Sequence, residues 1–102
     1  MSEKIYTIDE IKNMLKEILQ NEPVYEVTLF GSYAKQVATK KSDIDLMIDT
    51  KSELKGFSLM KLICRIQDKL KKEIDGFEKY EIIENSPIDQ EIKRTGVVVY
   101  ER

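Results

Sequence analysis

Two short groups of residues in the first half of the chain have side chains suited to phosphate chemistry. Gly31 and Ser32 follow an apolar run, and Asp43 and Asp45 open a second one. A glycine and a serine at the start of a helix can hold a phosphate with free backbone N–H groups and a hydroxyl. Two aspartates two positions apart on a strand lie about 6.6 Å apart on one face. They repel each other unless a cation lies between them.

Each group alone also has an ordinary structural explanation. Gly31-Ser32 can be a simple strand-to-helix turn, and the aspartates can be a solvated acidic pair at the start of a strand. Only ten residues separate Ser32 from Asp43, enough for one short helix and a turn. This connector would place both groups at one site, and carboxylate oxygens select Mg²⁺ or Mn²⁺ over softer metals. Together they predict chemistry on a nucleoside triphosphate.

Composition excludes several other kinds of site and protein. The chain has 102 residues, which predicts one domain over 1–102, and its net charge of −2 argues against stable binding to duplex nucleic acid. It has no histidine and one cysteine, Cys64, so His-based metal sites, Ser-His-Asp triads and Cys-based zinc sites are excluded. No apolar run is long enough for a membrane span, and the N-terminal Met-Ser-Glu-Lys lacks a signal-peptide core. We therefore expect a cytoplasmic protein without a membrane partner.

The elements alternate between helix and strand along the chain. Thr7 and Glu10 form a predicted capping box, Gly76 fits the position after a long helix, and Ser86-Pro87 starts the last helix. The patterns predict helices over about 8–21, 33–36, 58–74 and 87–95, and strands over about 24–30, 43–49, 80–83 and 97–100. This αβαβαβαβ order predicts an α/β (α+β) domain, a small mixed sheet flanked by helices.

Two segments resemble the signature of a known family. Leu29-Phe30-Gly31-Ser32-Tyr33-Ala34-Lys35 and Ser42-Asp43-Ile44-Asp45-Leu46 are similar to the motifs of minimal nucleotidyltransferases, a branch of the DNA polymerase beta-like superfamily. The resemblance implies the nucleotidyltransferase fold. It also implies an enzyme that moves a nucleoside monophosphate, with AMP as the expected group, from an NTP to an acceptor hydroxyl.

The resemblance also implies roles for individual residues. Asp43 and Asp45 would hold one Mg²⁺ of a two-metal site, in which Mn²⁺ is an alternative. The family's third carboxylate lies on a strand after the long helix, and the matching segment 80–83 places Glu81 there. Glu81 would hold the second metal and take the acceptor proton, unless it is only a solvent-facing glutamate. The phosphates would be held by Gly31, Ser32 and Lys35.

Two departures from the family pattern favour a rival hypothesis. The family has glycine where this chain has Gln36, which would cost about 1 kcal/mol if the backbone there is left-handed. It has aspartate where this alignment places Glu81, whose extra methylene moves the carboxylate by about 1.5 Å. Misplacements of about 1 Å can lower a rate about 100-fold. The rival is a catalytically weak or inactive binding module that neutralises a partner by contact.

The resemblance also predicts the partner. We expect no additional domain that would grip an acceptor, so we expect another molecule to present the hydroxyl. Minimal nucleotidyltransferases are often paired with HEPN proteins, and such a pair would make this chain the antitoxin. A partner tyrosine would be the acceptor. Residues 97–100 are predicted to form an exposed sheet edge, which is a candidate surface for homo-oligomer formation or partner docking.

Overall fold

The computed structural model describes residues 4–102. Residues 1–3, on which part of the signal-peptide prediction rests, lie outside the described residues. The elements are α1 (Ile8–Leu19), β1 (Glu26–Phe30), α2 (Gly31–Ala34), β2 (Ile44–Asp49), α3 (Phe57–Leu70), β3 (Ile74–Glu78), a 3₁₀ helix (Lys79–Glu81), α4 (Pro87–Thr95) and β4 (Val97–Glu101). The predicted αβαβαβαβ order is confirmed, with the 3₁₀ helix added.

The strands form one mixed sheet. Its order is β3-β2-β1-β4, with β1 antiparallel to β2 and β4, and β2 parallel to β3. β3 and β4 are therefore the two edges, and the predicted edge position of the last strand is confirmed. No helix in the described part of the chain is long and apolar enough to cross a bilayer.

The side chains of β2 divide between the two faces of the sheet. Ile44, Leu46 and Ile48 are buried, and the alternate residues are only partly covered. The buried face packs in one apolar core with residues of α1 and α3, among them Ile11, Leu15, Leu19, Leu62, Ile66 and Leu70. The opposite face of β2 therefore keeps Asp45 available for function, as the alternation along the strand predicts.

Local signals set several helix ends where they were predicted. The Thr7 hydroxyl accepts from the Glu10 N–H at 3.1 Å, and the Glu10 carboxylate accepts from the Thr7 N–H at 2.9 Å. The Ser86 hydroxyl caps α4, and Gly96 ends it. A Cβ at Gly96 would overlap the carbonyl oxygen of Ile92, so glycine is required there.

The prediction for the region after α3 is wrong. α3 ends at Leu70, and Lys71 closes it in the left-handed conformation with its N–H on the Gln67 carbonyl. Gly76 does not follow this helix but lies in the middle of β3. A Cβ there would lie 2.7 Å from the Ile63 side chain, so the glycine allows α3 to pack closely on the strand. The predicted strand over 80–83 is replaced by the 3₁₀ helix and the loop that follows it.

Candidate active site

Two carboxylates lie side by side on the open face of the sheet. Asp45 on β2 is paired in register with Asp75 on the parallel neighbour β3. Neighbouring strands are about 4.8 Å apart, and residues paired in register point to the same face. The side chains of Asp45 and Asp75 are close enough to share a hydrogen bond. Asp45 is half-buried and Asp75 is exposed, so solvent reaches the pair from the edge strand.

Gly31 lies directly against this pair. β1 ends at Phe30, which is paired in register with Asp45, and the chain turns into α2 at the next residue. Gly31 has φ of +73°, and a Cβ there would overlap the Asp45 carboxylate. The glycine is therefore required by its conformation and by the space that the Asp45 carboxylate occupies. The sequence predicts a phosphate beside this glycine, and the structure adds a close approach to the Asp45 carboxylate.

Negative charge accumulates around Asp45 and alters its titration. The pKa of Asp45 is raised from 3.8 to about 6, first by burial and then by the charges of Asp75 and Asp43. Glu91 on α4 and the hydrogen bond with Asp75 act in the same direction. Like charges in a partly desolvated place disfavour the ionised form. A bound cation would reverse this effect, so the residues present suit a positively charged ligand.

Asp43 reaches the site from a tight turn just before β2. The Ser42 side chain accepts from the Thr39 N–H at 2.9 Å, and the Ser42 N–H donates to the Thr39 carbonyl at 3.1 Å. The ammonium of Lys72, which is 3% exposed, donates to the Lys40 carbonyl at 2.8 Å. These contacts fix the segment that precedes Asp43. The Asp43 side chain is exposed and close enough to Asp45 to raise its pKa.

Ser32 lies inside α2, where the sequence suggests an N-cap for a helix over 33–36, and it does not cap the helix. α2 begins at Gly31, and Phe30 at the cap position makes no side-chain hydrogen bond to the helix. The first-turn N–H groups of α2 therefore lack a side-chain acceptor, as at any uncapped helix start. Among residues 4–102 we find no hydrogen-bond partner for the Ser32 hydroxyl, which is half-buried. These donors lie next to Gly31 and Asp45.

Lys35 is held by an ion pair. Its ammonium lies 3.0 Å from the carboxylate of Glu91 on α4. The pair joins α2 to α4 on the Asp45 face of the sheet, because Glu91 is also one of the charges that raise the Asp45 pKa. Both side chains are partly exposed, and such pairs contribute about 0–1 kcal/mol and exchange readily. Lys35 is therefore near the site but shared with a protein carboxylate.

The structure does not place Glu81 where the sequence predicts it. Glu81 belongs to the 3₁₀ helix that follows β3, and its carboxylate accepts from the Glu78 N–H at 3.2 Å. It is not among the charges that raise the Asp45 pKa. The strand after the long helix is β3, and its carboxylate on the Asp45 face is Asp75. The residue beside Asp45 on the strand after the long helix is therefore an aspartate, and Glu81 does not lie on that strand.

A sequence signal for Asp75 was present. Ile74-Asp75-Gly76-Phe77 places an aspartate in an apolar segment after the long helix, which is where the resemblance implies the third carboxylate. The apolar periodicity of α3 obscured this signal for Asp75, because Ile74 follows Leu70 at a spacing of four and extends the apparent helix. Gly76 then looked like a helix stop. Only the left-handed Lys71 shows that the helix ends earlier.

The residues at this site are of the type that binds metal ions, but they do not form a complete coordination site. In this arrangement, residues 4–102 contain no group of three or more acidic, cysteine or histidine side chains that could hold a metal ion. Asp45 and Asp75 converge, and Asp43 adjoins them. All three offer carboxylate oxygens, the ligands that Mg²⁺ prefers, and Mg²⁺ commonly uses one or two carboxylates plus substrate phosphates.

Comparison with known proteins identifies the family. The profile of the family described as "Polymerase beta, Nucleotidyltransferase" matches residues 13–102. The chain belongs to this family. It is a nucleotidyltransferase, and the predicted family, fold and enzyme class are confirmed.

Relatives in Methanocaldococcus jannaschii support the nucleotidyltransferase assignment. One that bears the name "Putative protein adenylyltransferase" is 34% identical over 80 residues, which cover 74% of this chain and 82% of the relative. A second of the same name is 32% identical over 68 residues, covering 67% of this chain and 73% of the relative.

Solved structures share the fold of this nucleotidyltransferase. A chain in a crystal structure of a toxin–antitoxin with AMP-PNP superposes with a TM-score of 0.75 at 18% identity, covering 89% of this chain and 73% of that one. A chain in the complex of a tri-AMPylated Shewanella oneidensis HEPN toxin with an MNT antitoxin gives a TM-score of 0.70 at 16% identity, covering 94% and 74%. At these identities the likeness establishes the fold.

Proposed function

We propose that this nucleotidyltransferase transfers AMP from ATP to a hydroxyl group of a partner protein. The observation that carries the proposal is the Asp45–Asp75 pair, placed beside Gly31 and the uncapped first turn of α2. The pair can hold a cation, and the adjoining N–H groups can hold phosphate oxygens. Transfer of a nucleotidyl group needs both at one place.

The metal site would use Asp43, Asp45 and Asp75. We propose Mg²⁺ as the natural ion and Mn²⁺ as a substitute, in a two-metal arrangement. When bound, the ions would neutralise phosphate charge and make the acceptor oxygen more nucleophilic. The raised pKa of Asp45, caused by burial and then by the charges of Asp75 and Asp43, supports this proposal, because a bound cation would favour the ionised carboxylate. Glu81 is not part of this set.

The triphosphate would be held by α2. The Gly31 and Ser32 N–H groups are free of a side-chain cap, and the Ser32 hydroxyl adds a donor. Lys35 would contribute by exchanging its contact with Glu91 for one with a phosphate. ATP is favoured as the donor because relatives above 30% identity are named as adenylyltransferases.

The proposed reaction is a displacement at the α-phosphorus. The acceptor oxygen forms a bond to that phosphorus, the bond to the bridging oxygen breaks, and pyrophosphate leaves. Asp75 is the candidate to take the proton of the acceptor hydroxyl, since it is exposed beside Asp45 and the chain has no histidine. The protein then acts mainly by positioning and charge stabilisation.

For the partner we propose a HEPN-type protein, with this chain as the antitoxin of the pair. The support is the shared fold with chains from toxin–antitoxin complexes, one of which contains an AMPylated HEPN toxin. The acceptor would be a tyrosine hydroxyl of that partner. Because the reaction uses ATP, the proposed location is the cytoplasm.

A transfer assay tests the proposal. Wild-type protein, α-labelled ATP, Mg²⁺ and the protein encoded by the neighbouring gene should give a labelled partner, identified as a tyrosine adduct by mass spectrometry. The Asp43→Asn/Asp45→Asn variant should give no label, and a matched control, Asp68→Asn on the exposed side of α3, should label like wild type. Equal labelling by wild type and the double variant would overturn the proposal.

The rival hypothesis of a contact-only binding module loses one of its two supports. It rested on glutamate as the third carboxylate, and Asp75 takes that place on the strand. Gln36 does adopt the left-handed conformation, with φ of 59°, but this costs folding free energy and removes no ligand from the site. Partner neutralisation without any AMP transfer would favour the rival.

A further inference from the structure

The face of the sheet that carries Asp45 and Asp75 continues into an apolar groove. Phe77 follows Asp75 by two residues on β3, so the two side chains share a face, about 6.6 Å apart. The ring of Phe77 lies 6.2 Å from that of Phe30, next to Gly31. Phe77 also lines a groove of about 430 Å³, which we call the β3 groove. Its other lining residues include Glu81, Ile82, Ile83, Pro87 and Ile88.

The β3 groove exposes large apolar side chains. Ile83 is 75% exposed and Ile88 is 38% exposed, and Tyr80 beside them is 56% exposed. A single exposed apolar residue is ordinary, but a contiguous group around a groove marks a binding surface. The groove also adjoins β3, an edge of the sheet, so a partner can reach it without displacing another element.

The rim of the β3 groove is acidic. Among the residues that line the groove, Glu81 is the charged one, and none is a lysine or arginine. Glu84 follows it in the chain and is attracted to Lys93, which pairs with Asp89, so Glu81 is the rim carboxylate for which we find no ion pair among residues 4–102. An occupant complementary to this rim carries positive charge beside an apolar side chain.

We propose that the β3 groove binds a segment of the acceptor protein in which an apolar side chain is flanked by lysine or arginine. This rests on the proposed function and assigns the groove as its acceptor subsite. An extended segment advances about 3.3 Å per residue, so a hydroxyl two residues from the anchored side chain reaches the Asp75 region. The groove would thus select the acceptor and set its distance from the carboxylates.

Two other occupants fit these observations less well. The adenine of ATP is uncharged, so it would leave the acidic rim without a complementary positive charge. A second copy of this chain packed groove to groove would place two acidic rims against each other, because a two-fold contact buries the same patch on both copies. Both remain distinct outcomes of the test.

The probe is the peptide acetyl-Lys-Leu-Arg-Tyr-Leu-Lys-amide, titrated into the full ¹⁵N-labelled chain and followed by NMR. We expect saturable shifts of the amides at Phe77 and over 82–88. Two control peptides, one with serine for leucine and one with glutamate for the basic residues, should bind at least about fivefold more weakly. Ile83→Ser should weaken binding about threefold to tenfold and Glu84→Lys about threefold, while Val98→Ser on β4 should not.

Other results would overturn the proposal. Absence of shifts in the groove, or equal binding of all three peptides, contradicts it. Displacement of the peptide by Mg-ATP with shifts at the same amides would make the groove a nucleobase site. A wild-type dimer that Ile83→Ser converts to a monomer would make it an interface between copies.

The transfer assay separates this inference from the proposed function. Ile83→Ser should raise the KM for the acceptor about threefold to tenfold and leave the KM for ATP unchanged. An unchanged acceptor KM contradicts the groove proposal alone. Peptide binding in the groove without any AMP transfer by wild type contradicts the proposed function alone, since the NMR measurement needs no ATP.

Discussion

Strand β3 carries two carboxylates with opposite surroundings. Asp75 is exposed on the open face, beside Asp45. Glu78, three residues later, points into the core and is 1% exposed. Its carboxylate accepts from the Thr50 hydroxyl at 2.9 Å and the Thr50 N–H at 3.4 Å, and it also caps the 3₁₀ helix through the Glu81 N–H.

The difference separates a structural carboxylate from a functional one. Glu78 is buried and satisfied, and it holds the loop after β2 to the end of β3. Among residues 4–102 we find no comparable hydrogen-bond donors for the Asp45–Asp75 pair, and its members repel each other when both are ionised. A buried group left without hydrogen bonds costs free energy, whereas the repulsion within a pair near solvent is relieved by a proton or by a bound cation. Burial alone would have selected Glu78 as the candidate site residue, although its carboxylate is satisfied by structural hydrogen bonds.

The largest expected effect is on catalysis. Asp75→Asn should lower the rate of AMP transfer about 1,000-fold, because it removes a proposed metal ligand and proton acceptor. Mn²⁺ titration should show weaker binding to Asp75→Asn, whereas Glu81→Gln should keep the wild-type Mn²⁺ affinity. Loss of affinity in Glu81→Gln instead of Asp75→Asn would return the third-carboxylate role to Glu81.

The next largest effect is on stability and concerns Glu78. Glu78→Ala should lower the free energy of unfolding by about 2–4 kcal/mol, because it opens a cavity and removes the acceptor of the Thr50 N–H and the nearer acceptor of the Thr50 hydroxyl. Urea unfolding measures this. Asp75→Ala is the matched control on the same strand and should change stability by at most about 0.5 kcal/mol. Similar losses in both variants would contradict the division of roles.

A smaller effect depends on pH. The folded-state pKa of Asp45, about 6, lies above its ordinary value of 3.8, so its stabilising contribution is complete below pH 3.8 and lost as pH rises through about 6. In metal-free buffer, Asp45→Asn should therefore be more stable than wild type above pH 6, by about 1 kcal/mol after solvent screening.

Thermal unfolding at several pH values measures this difference. It should vanish near pH 4, and Mg²⁺ should reduce it at pH 8 by stabilising wild type alone. A variant less stable than wild type at pH 8 without metal would show that Asp45 is not repelled by its neighbours.

The smallest effect concerns the turn after α2. Gln36 has φ of 59°, which glycine adopts more easily than glutamine. Gln36→Gly should raise the free energy of unfolding by about 0.5–1 kcal/mol. The matched control, Gln20→Gly, changes a right-handed residue at the end of α1 and should lower stability by a similar amount. Equal signs for the two substitutions would contradict the assignment of strain to Gln36.

Most of the fold could be predicted because its signals are local. The Thr7–Glu10 capping box and the Ser86 cap depend on residues within one turn, and the alternation along β2 reports which side chains are buried. The Gly31 and Asp45 motifs are separated by a short connector, so the sequence was enough to predict that they lie at one site. These features need no information about distant segments.

The third carboxylate was different, because its position depends on where α3 stops. The apolar spacing from Leu70 to Ile74 suits both a continued helix and a new strand. Lys71 ends the helix by adopting φ of 57°, a conformation unusual for lysine. The chain then enters β3, where Asp75 is paired in register with Asp45.

The sequence by itself determined the family, the order of the elements and the pair Asp43 and Asp45. The tertiary structure decided that Asp75 and not Glu81 adjoins them, that Glu78 is structural, and that the β3 groove opens beside the site. These outcomes depend on strand pairing between segments about thirty residues apart, whose register is set by burial of one face of the sheet and not by any local signal.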